Sequence, residues 1–344
     1  MAPEETVQKR TEQDVAIEKQ SAKKRALITG ISGQDGAYLA KNLLARGYEV
    51  HGTSRDSETT SFWRLEHLGV RGNVVIHSMS ATELHSVLHV LRQVQPDEIY
   101  NLAGQSSVSL SFEQPLETMT SNIIGTLNLL EAIRFLGVGV RLYNAGSSES
   151  FGDVGGVPAT IGKPFNPRSP YAVAKATAFW EVANYREAYG LYACSGVLFN
   201  HESPLRSPRF VTRKIVSAAC RIAAGSGETL HLGNMDVQRD WGWAEEYVEA
   251  MWRMLQQPEP RDYVIATGVQ SSLRDFVHEA FACVGLDWRA HVHADPSLLR
   301  PSDIASSVGD PAVAERELGW KATMHMPDVV REMIRHEQAG LSGE

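Results

Sequence analysis

The chain has 344 residues, a formal net charge of −8 at pH 7 and an ordinary apolar content of 43%. That length suits one large domain or two interlocked lobes. The sequence has no basic stripe of the kind that binds nucleic acid and no apolar run long enough to predict a membrane span. Its three cysteines lie far apart, which favours a reducing, cytoplasmic setting over a disulfide framework.

Residues 1–24 differ in composition from the rest of the chain. They are rich in Glu, Gln and Lys and poor in apolar residues, which predicts a flexible N-terminal extension. The pattern changes at Arg25, where "RALITG" is typical of a short strand that ends in a glycine. A helical pattern follows in "DGAYLAKNLLARGY", and "EVHGTSR" indicates a second strand, so this stretch predicts one βαβ unit.

Three glycines, Gly30, Gly33 and Gly36, lie on the first turn of this unit. A glycine turn before a helix leaves the helix N-terminus open, and its unpaired N–H groups and dipole attract a pyrophosphate. Gly36 also lets the helix pack closely on the strand. The alternative for the glycines alone is an ordinary tight turn, but the strand before them and the helix after them favour a dinucleotide site.

Strands and helices continue to alternate as far as Asn200. This order predicts an α/β fold, a Rossmann-type doubly wound parallel sheet, and the remaining chain predicts a smaller C-terminal substrate-binding lobe. Polar clusters follow four of the strands, at residues 30–36, 101–107, 144–149 and 200–202. Because the carboxyl ends of parallel strands share one edge of a sheet, we expect these clusters to line a common cleft.

The segment "SPYAVAK" places Tyr171 and Lys175 four residues apart, on one face of a predicted helix. A free phenol titrates near 10, too high for a good base at neutral pH, and a nearby ammonium would lower that pKa. Such a pair can take a proton from a sugar hydroxyl while hydride leaves the same carbon. Ser147 or Ser148, at the end of the preceding strand, can hydrogen-bond the same hydroxyl. The alternative for the pair is a solvated helix face.

Glu149 is the unexpected residue at that strand end, in "NAGSSES". A plain alcohol dehydrogenase or 4-epimerase needs no carboxylate there, whereas a 4,6-dehydratase does. Once C4 of a hexose is a ketone, the C5 proton is acidic, and a carboxylate can remove it and help expel the C6 hydroxyl as water. The alternative for Glu149 is a helix cap or a salt-bridge partner.

Taken together, these segments resemble the GDP-mannose 4,6-dehydratase family of extended short-chain dehydrogenase/reductases. The similarity runs from about Arg25 to Arg335 and includes "ALITGISGQDGAYLA", "DEIYNLAGQSSV", "RSPYAVAKA", "LFNHESP", "FVTRKI" and "LGNMDVQRDWGWAEEYVEAMW". The resemblance implies a GDP-sugar substrate, a nicotinamide cofactor, a hydro-lyase reaction that makes a 4-keto-6-deoxy sugar, no metal, and a homodimer or homotetramer.

The resemblance also implies a role for each matching residue. Four residues would be catalytic: Ser147, Glu149, Tyr171 and Lys175. The cofactor would be held by a second set, which also includes the catalytic pair: Gly30, Gly33, Gln34, Asp35, Gly36, Arg55, Leu102, Ala103, Tyr171 and Lys175. The nucleotide sugar would meet a third set: Ser107, Asn200, Glu202, Val211, Lys214, Arg239 and Arg300. Asn200 and Glu202 would face the sugar diphosphate. Val211 and Lys214 would meet the guanine, and Arg239 and Arg300 the pyrophosphate.

Two departures from the family pattern bear on these roles. Ser147 stands where the family usually has Thr, and the hydroxyl survives. After the second strand the family commonly has two arginines, whereas this chain has Arg55 followed by Asp56. Arg55 suits the 2′-phosphate of NADP, while Asp56 could instead bind a ribose hydroxyl as in NAD enzymes, so we expect NADP with NAD as the alternative.

Some alternatives stay open at this point. The stretch before "RAHVHADPSLLRPSD" is shorter than in many dehydratases, as it is in the related GDP-4-keto-6-deoxyhexose reductases, so a reductase is the alternative function. A heptose substrate is also open. For the domains, we expect residues 25–198 to form the cofactor-binding unit, with 238–268 returning to it, and residues 199–237 and 269–340 to form the substrate lobe.

Two further groups of residues carry expectations. The interleaved basic residues Arg206, Arg209, Arg213 and Lys214 predict a small patch for an anionic diphosphate. In residues 56–69 we expect Phe62 and Trp63 to be exposed and to contact a neighbouring subunit, with Arg64 reaching that subunit's cofactor phosphate. The alternative is that the two aromatic side chains cover their own domain's core.

Overall fold

The structure, a computed structural model, describes residues 23–341. Apart from its last two residues, the predicted extension at 1–24 lies outside the described residues. The strands are β1 (Arg25–Thr29), β2 (Glu49–Ser54), β3 (Val74–Ser78), β4 (Glu98–Asn101), β5 (Arg141–Ser147), β6 (Ala193–Leu198), β7 (Asn200–Glu202), β8 (Leu230–Leu232), β9 (Gln238–Trp243), β10 (Tyr263–Ile265), β11 (Gln270–Ser272) and β12 (Val292–Ala294). The helices are α1 (Gln34–Ala45), α2 (Trp63–His67), α3 (Leu84–Val94), α4 (Val108–Glu113), α5 (Pro115–Met119), α6 (Gly125–Leu136), α7 (Pro170–Tyr189), α8 (Val211–Ala223), α9 (Ala244–Leu255), α10 (Leu273–Cys283), α11 (Ala312–Leu318) and α12 (Met326–Leu341).

Seven parallel strands form the main sheet in the order β10-β6-β5-β4-β1-β2-β3. The central strand β1 is buried on both faces, as its residues Ala26, Leu27 and Ile28 show, which is why it reads as an apolar run rather than an alternating one. Helices α1 and α9 cover one face, and α3, α6 and α7 cover the other. The predicted doubly wound fold is confirmed.

The order of the strands also fixes where a ligand can bind. Successive strands run outwards from β1 in one direction through β2 and β3, and in the other through β4 and β5. At such a switch point, loops leave β1 and β4 on opposite faces and open a crevice at their carboxyl ends. The glycines that follow Thr29 lie at this crevice.

A second apolar core lies between α8, α10 and α12, where Ile215, Phe276 and Val329 are fully buried. Two small sheets, β11-β9-β7 and β12-β8, accompany this core. Strand β10 instead pairs with β6 in the main sheet, and Met251 of α9 belongs to the core around β1. Segment 238–268 contributes to both cores, because Trp241 and Trp243 of β9 pack in the second one.

The structure adds elements that the sequence patterns did not predict. The short helices α4 and α5, with a π-helical turn at Thr120–Ile124, precede α6. Phe62 was expected on the surface, but it is only 5% exposed and packs in the core of its own domain, whereas Trp63 is 41% exposed. Within residues 23–341, every helix is too short or too polar to cross a lipid bilayer.

Candidate active site

A cleft of about 1230 Å³ lies at the carboxyl ends of the main strands and extends onto the second lobe. It is lined by all the residues that were expected to be catalytic or to contact the cofactor or the nucleotide sugar: Gly30, Gly33, Gln34, Asp35, Gly36, Arg55, Leu102, Ala103, Ser107, Ser147, Glu149, Tyr171, Lys175, Asn200, Glu202, Val211, Lys214, Arg239 and Arg300. The expected common cleft is therefore present. The individual chemical roles stay predictions.

The glycine turn at the start of α1 is shaped by close approaches of backbone. A Cβ on Gly30, whose φ is +71°, would lie 2.9 Å from the backbone of Leu102 and Ala103. A Cβ on Gly36 would lie 2.5 Å from the carbonyl oxygen of Gly30. Gly33 is the N-cap of α1 and supplies no side-chain cap, so the first N–H groups of the helix open onto the cleft. This cradle fits the pyrophosphate of a dinucleotide.

The side chains of Gln34 and Asp35 are engaged by the protein itself. The amide of Gln34 donates to the carbonyl oxygen of His201 at 3.2 Å and accepts from the Ser203 hydroxyl at 2.7 Å. A carboxylate oxygen of Asp35 lies 3.0 Å from Nε2 of His201. Gln34 and Asp35 would therefore contact a cofactor through their backbone N–H groups rather than through their side chains.

Tyr171 and Lys175 lie in the first turns of α7, behind a well-formed helix start. The Ser169 hydroxyl accepts a hydrogen bond from the N–H of Ala172 at 3.1 Å, and Pro170 occupies the first helical position. Burial raises the pKa of Tyr171 to about 12, although a hydrogen bond with the Ser147 side chain opposes the rise. The expected lowering of this pKa by the ammonium is absent, because desolvation dominates.

Glu149 follows Ser147 on a short 3₁₀ turn at the end of β5, and its N–H donates to the Ser147 hydroxyl at 3.3 Å. The carboxylate is half-buried and faces the cleft. Burial raises its pKa above the usual range, while the guanidinium groups of Arg239 and Arg300 pull it down. A carboxyl group with a raised pKa is suited to both take and return a proton near neutral pH.

Asp303 forms ion pairs with both arginines, Arg239 and Arg300. The sequence analysis did not identify this residue. Its carboxylate lies 3.0 Å from the guanidinium of Arg239 and 3.4 Å from that of Arg300. The Asp303 charge also acts on Glu149, whose pKa it raises. The only sequence signal was the spacing in "RPSD", three residues from Arg300, which many solvated loops share.

Glu202 was expected to face the sugar diphosphate, yet it is only 1% exposed. Its carboxylate accepts a 2.8 Å hydrogen bond from the Thr212 hydroxyl and lies 3.1 Å from Nε of Arg206. The guanidinium of Arg206 stacks at 3.6 Å on the Phe210 ring and lines the cleft. Glu202 thus orients Arg206, which is the group that an anionic ligand would meet.

The basic patch predicted from the sequence is divided by the structure. Arg206, Arg209 and Lys214 line the cleft, and the ammonium of Lys214 donates to the carbonyl oxygen of His231 at 3.0 Å. Arg213 instead forms an ion pair with Glu337 of α12, so it serves the packing of the second lobe. The reason is helical geometry, because neighbouring positions on α8 point in different directions.

Two arginines flank the region beyond β2. The side chain of Arg55 is 87% exposed, with Glu117 at 3.9 Å. Arg64 was expected to reach a neighbouring subunit, but its guanidinium donates to the carbonyl oxygens of Leu205 and Ser32 at 2.7 and 2.9 Å in its own chain. Arg64 therefore belongs to the wall of its own cleft.

Comparisons with known proteins agree with this geometry. The family described as GDP-mannose 4,6 dehydratase matches residues 27–333. The GDP-mannose 4,6-dehydratase of Sinorhizobium fredii is 46% identical over 93% of this chain and 98% of its own length. That of Vibrio cholerae serotype O1 is 45% identical over 91% of this chain and 93% of its own.

Solved structures share the fold. A UDP-glucose 4-epimerase of Thermus thermophilus, in complex with NAD, has a TM-score of 0.80 at 27% identity and covers 91% of this chain and 99% of its own. RMD from Pseudomonas aeruginosa, complexed with NADPH, has a TM-score of 0.76 at 22% identity and covers 92% and 99%. With a family match over nearly all of the described residues, the chain belongs to the GDP-mannose 4,6-dehydratase family, nucleotide-sugar enzymes on a nicotinamide-binding Rossmann fold.

Proposed function

We propose that the chain converts GDP-D-mannose, or a close GDP-manno sugar such as the heptose, to the 4-keto-6-deoxy sugar. The observation that carries this proposal is Glu149, a half-buried carboxylate at the same strand end as Ser147 and in the same cleft as Tyr171 and Lys175. An enzyme that only transfers hydride has no use for it. The relatives lend no support to a 4-keto reductase. The test is a product lighter than GDP-mannose by one water, formed without stoichiometric consumption of cofactor.

The protons of this reaction can be assigned to two side chains. Tyr171, as the phenolate, takes the proton of the C4 hydroxyl, within a hydrogen bond shared with Ser147, as C4 is oxidised. Glu149 takes the C5 proton and delivers it to the leaving C6 hydroxyl, which departs as water. The proton held by Tyr171 then returns to C5. A bound nicotinamide supplies the acceptor for hydride from C4 and its donor to C6, so the sum is loss of one water.

We also propose NADP as the cofactor, with NAD as the alternative. The Asp56 carboxylate is occupied in its own turn, where it accepts hydrogen bonds from the N–H groups of Glu58 and Thr59 at 2.9 and 3.1 Å and from the Thr59 hydroxyl. The Asp56 carboxylate is thus engaged within its own turn, while the side chain of Arg55 is exposed. A guanidinium in that position suits a 2′-phosphate. Identifying the dinucleotide released when the purified protein is denatured tests this assignment.

For the substrate, we propose that the GDP moiety lies across the second lobe, residues 199–237 and 269–340. Val211 and Lys214 at the start of α8 would meet the guanine, and Arg239 and Arg300 the diphosphate. The Asp303 carboxylate supports this arrangement, because it holds the two guanidinium groups together in the cleft. Ser107 and Asn200 would contact the nucleotide sugar.

We propose further that the protein is a homo-oligomer, a dimer or a tetramer. Val173 and Trp180, seven residues apart on one face of α7, are 38% and 62% exposed. Phe135 at the end of the adjacent α6 is 71% exposed. Apolar side chains concentrated on neighbouring helices favour burial against a second subunit. Trp63 is a second candidate contact, whereas Phe62 is already covered by its own core.

A further inference from the structure

His201 lies in the middle of β7, and its side chain is 10% exposed. Its Nδ1 is 2.7 Å from the carbonyl oxygen of Phe199, and its Nε2 is 3.0 Å from the carboxylate of Asp35. A carbonyl oxygen and an ionised carboxylate can only accept hydrogen bonds, so both ring nitrogens must carry a hydrogen. The contact is therefore an ion pair between an imidazolium and a carboxylate, with no net charge.

The surroundings of His201 agree with a charged ring. Burial lowers its pKa, but the Asp35 carboxylate outweighs that effect, so the pKa lies above its usual value. For Asp35, burial raises the pKa, and His201 with its hydrogen bond brings it down to about 2. The ring stacks on Tyr247 of α9 at 4.6 Å, a favourable contact for a cation. Arg206 is the charged neighbour that opposes protonation.

The ion pair connects the two halves of the cleft. Asp35 lies in the first turn of α1, whose N–H groups open onto the cofactor cradle. His201 lies on β7 beside Asn200, on the substrate side. The neutral hydrogen bond from the Ser203 hydroxyl to Gln34 joins the same two segments at 2.7 Å. The relative position of cofactor and substrate therefore depends on this junction.

The charge of Asp35 also reaches the catalytic pair. Burial is the main cause of the raised pKa of Tyr171, and the Asp35 carboxylate adds to it. Burial lowers the pKa of Lys175 to about 8, and Asp35 opposes that change. If Asp35 kept its charge without the imidazolium of His201, the pKa of Tyr171 would therefore rise further.

We propose that His201 is a positioning residue of the reaction, whose imidazolium neutralises Asp35 and fixes the cofactor-binding start of α1 against the substrate strand β7. This inference rests on the proposed function and deepens it. It assigns to His201 a task that is separate from the contacts made by Tyr171 and Glu149.

The direct test is the protonation state of His201 in the full chain, by NMR of ¹⁵N-histidine-labelled protein. The signals are assigned as those lost in His201→Gln. We expect both ring nitrogens to remain protonated from about pH 6 to about pH 8, where a free imidazole loses its proton. A neutral ring at the upper end of that range would overturn the proposal. This readout does not depend on turnover, so it is distinct from a failure of the proposed function, which wild-type dehydratase activity tests.

A set of variants tests the effect on the reaction. His201→Gln should raise the pKa of Tyr171, so the acid limb of the first oxidation, followed as cofactor reduction in a single turnover, should move upwards by about one pH unit. The rate of this step should then fall about tenfold at a pH below the limb. The double variant Asp35→Asn, His201→Gln removes both charges and should restore the limb. Ser203→Ala, which breaks a neutral hydrogen bond of the same junction, should leave it in place.

Three results would contradict the proposal: an unshifted limb in His201→Gln, an equal shift in Ser203→Ala, or a double variant that stays shifted. If His201→Gln does not fold, the NMR measurement on the wild-type chain decides the question.

Discussion

The ammonium of Lys175 donates a hydrogen bond of 3.0 Å to the carbonyl oxygen of Ala145 on β5, two residues before Ser147. This bond holds the start of α7 against the strand that carries Ser147 and leads to Glu149. The ammonium lies 5.9 Å from the centre of the Tyr171 ring, and both side chains line the same cleft. Lys175 thereby ties α7 to β5 beside the cleft that both elements line.

Tyr171→Phe should stop the first oxidation. The proposed acceptor of the C4 proton is then absent, and the expected loss of kcat is roughly 10²- to 10⁴-fold. Binding of GDP-mannose, measured by calorimetry, should persist. Tyr189→Phe, on the exposed end of the same helix, is the control and should behave as wild type. Near-normal turnover by Tyr171→Phe would remove this residue from the mechanism.

Glu149→Gln should bind the nucleotide sugar but fail in the elimination, because an amide cannot take the C5 proton. In D₂O the wild type should incorporate deuterium at C5, and the variant should not. Mass spectrometry of the sugar recovered from the enzyme should show the 4-keto sugar that still carries its C6 hydroxyl. If the variant forms the 4-keto-6-deoxy product at close to the wild-type rate, another group is the base.

The acid limb of elimination should follow the charges around Glu149. Arg300→Gln removes a cation that lowers the pKa of Glu149, so the limb should move to higher pH. Asp303→Asn removes an anion that raises this pKa, so the limb should move to lower pH. Profiles of kcat at saturating substrate separate these shifts from weaker binding. Shifts in the same direction for both variants would refute this electrostatic account.

The assembly should depend on the exposed face of α7. Light scattering of the wild type should give a dimer or tetramer, and Trp180→Glu should give a smaller species, because a charge cannot be buried there without a partner. Trp63→Ser tests the second candidate contact. Val157→Glu, at a position that is exposed outside these helices, is the control. A monomeric wild type would end the oligomer proposal, and an unchanged Trp180→Glu would exclude this face.

The sheet was predictable because parallel strands covered on both faces appear as short apolar runs between amphipathic helices. The cleft followed from topology, since the polar clusters come directly after strands. The helices α4 and α5 were missed because each is too short to show a helical period. The buried position of Phe62 depends on its packing with other segments of the domain core, which the local sequence does not show.

Contacts between distant parts of the chain left no local signal. The side chain of Asp35 was assigned to the cofactor because it lies in the glycine loop, whereas its partner, His201, lies 166 residues further on. Asp303 is similarly remote from Arg239, at a separation of 64 residues. Ion pairs of this kind are decided by tertiary geometry. Residue type and spacing therefore predict which residues line the cleft, but they do not predict which side chains those residues contact.

The most direct test of the central claim is the mass balance of the wild-type reaction. Purified protein is incubated with GDP-mannose, with NADP present only in catalytic amount, and the products are separated and weighed by mass spectrometry. The account predicts many turnovers to a GDP-sugar lighter by one water, with no net change in the ratio of oxidised to reduced cofactor. Unchanged GDP-mannose, together with stoichiometric oxidation of NADPH when a GDP-4-keto-6-deoxy sugar is supplied, would contradict it.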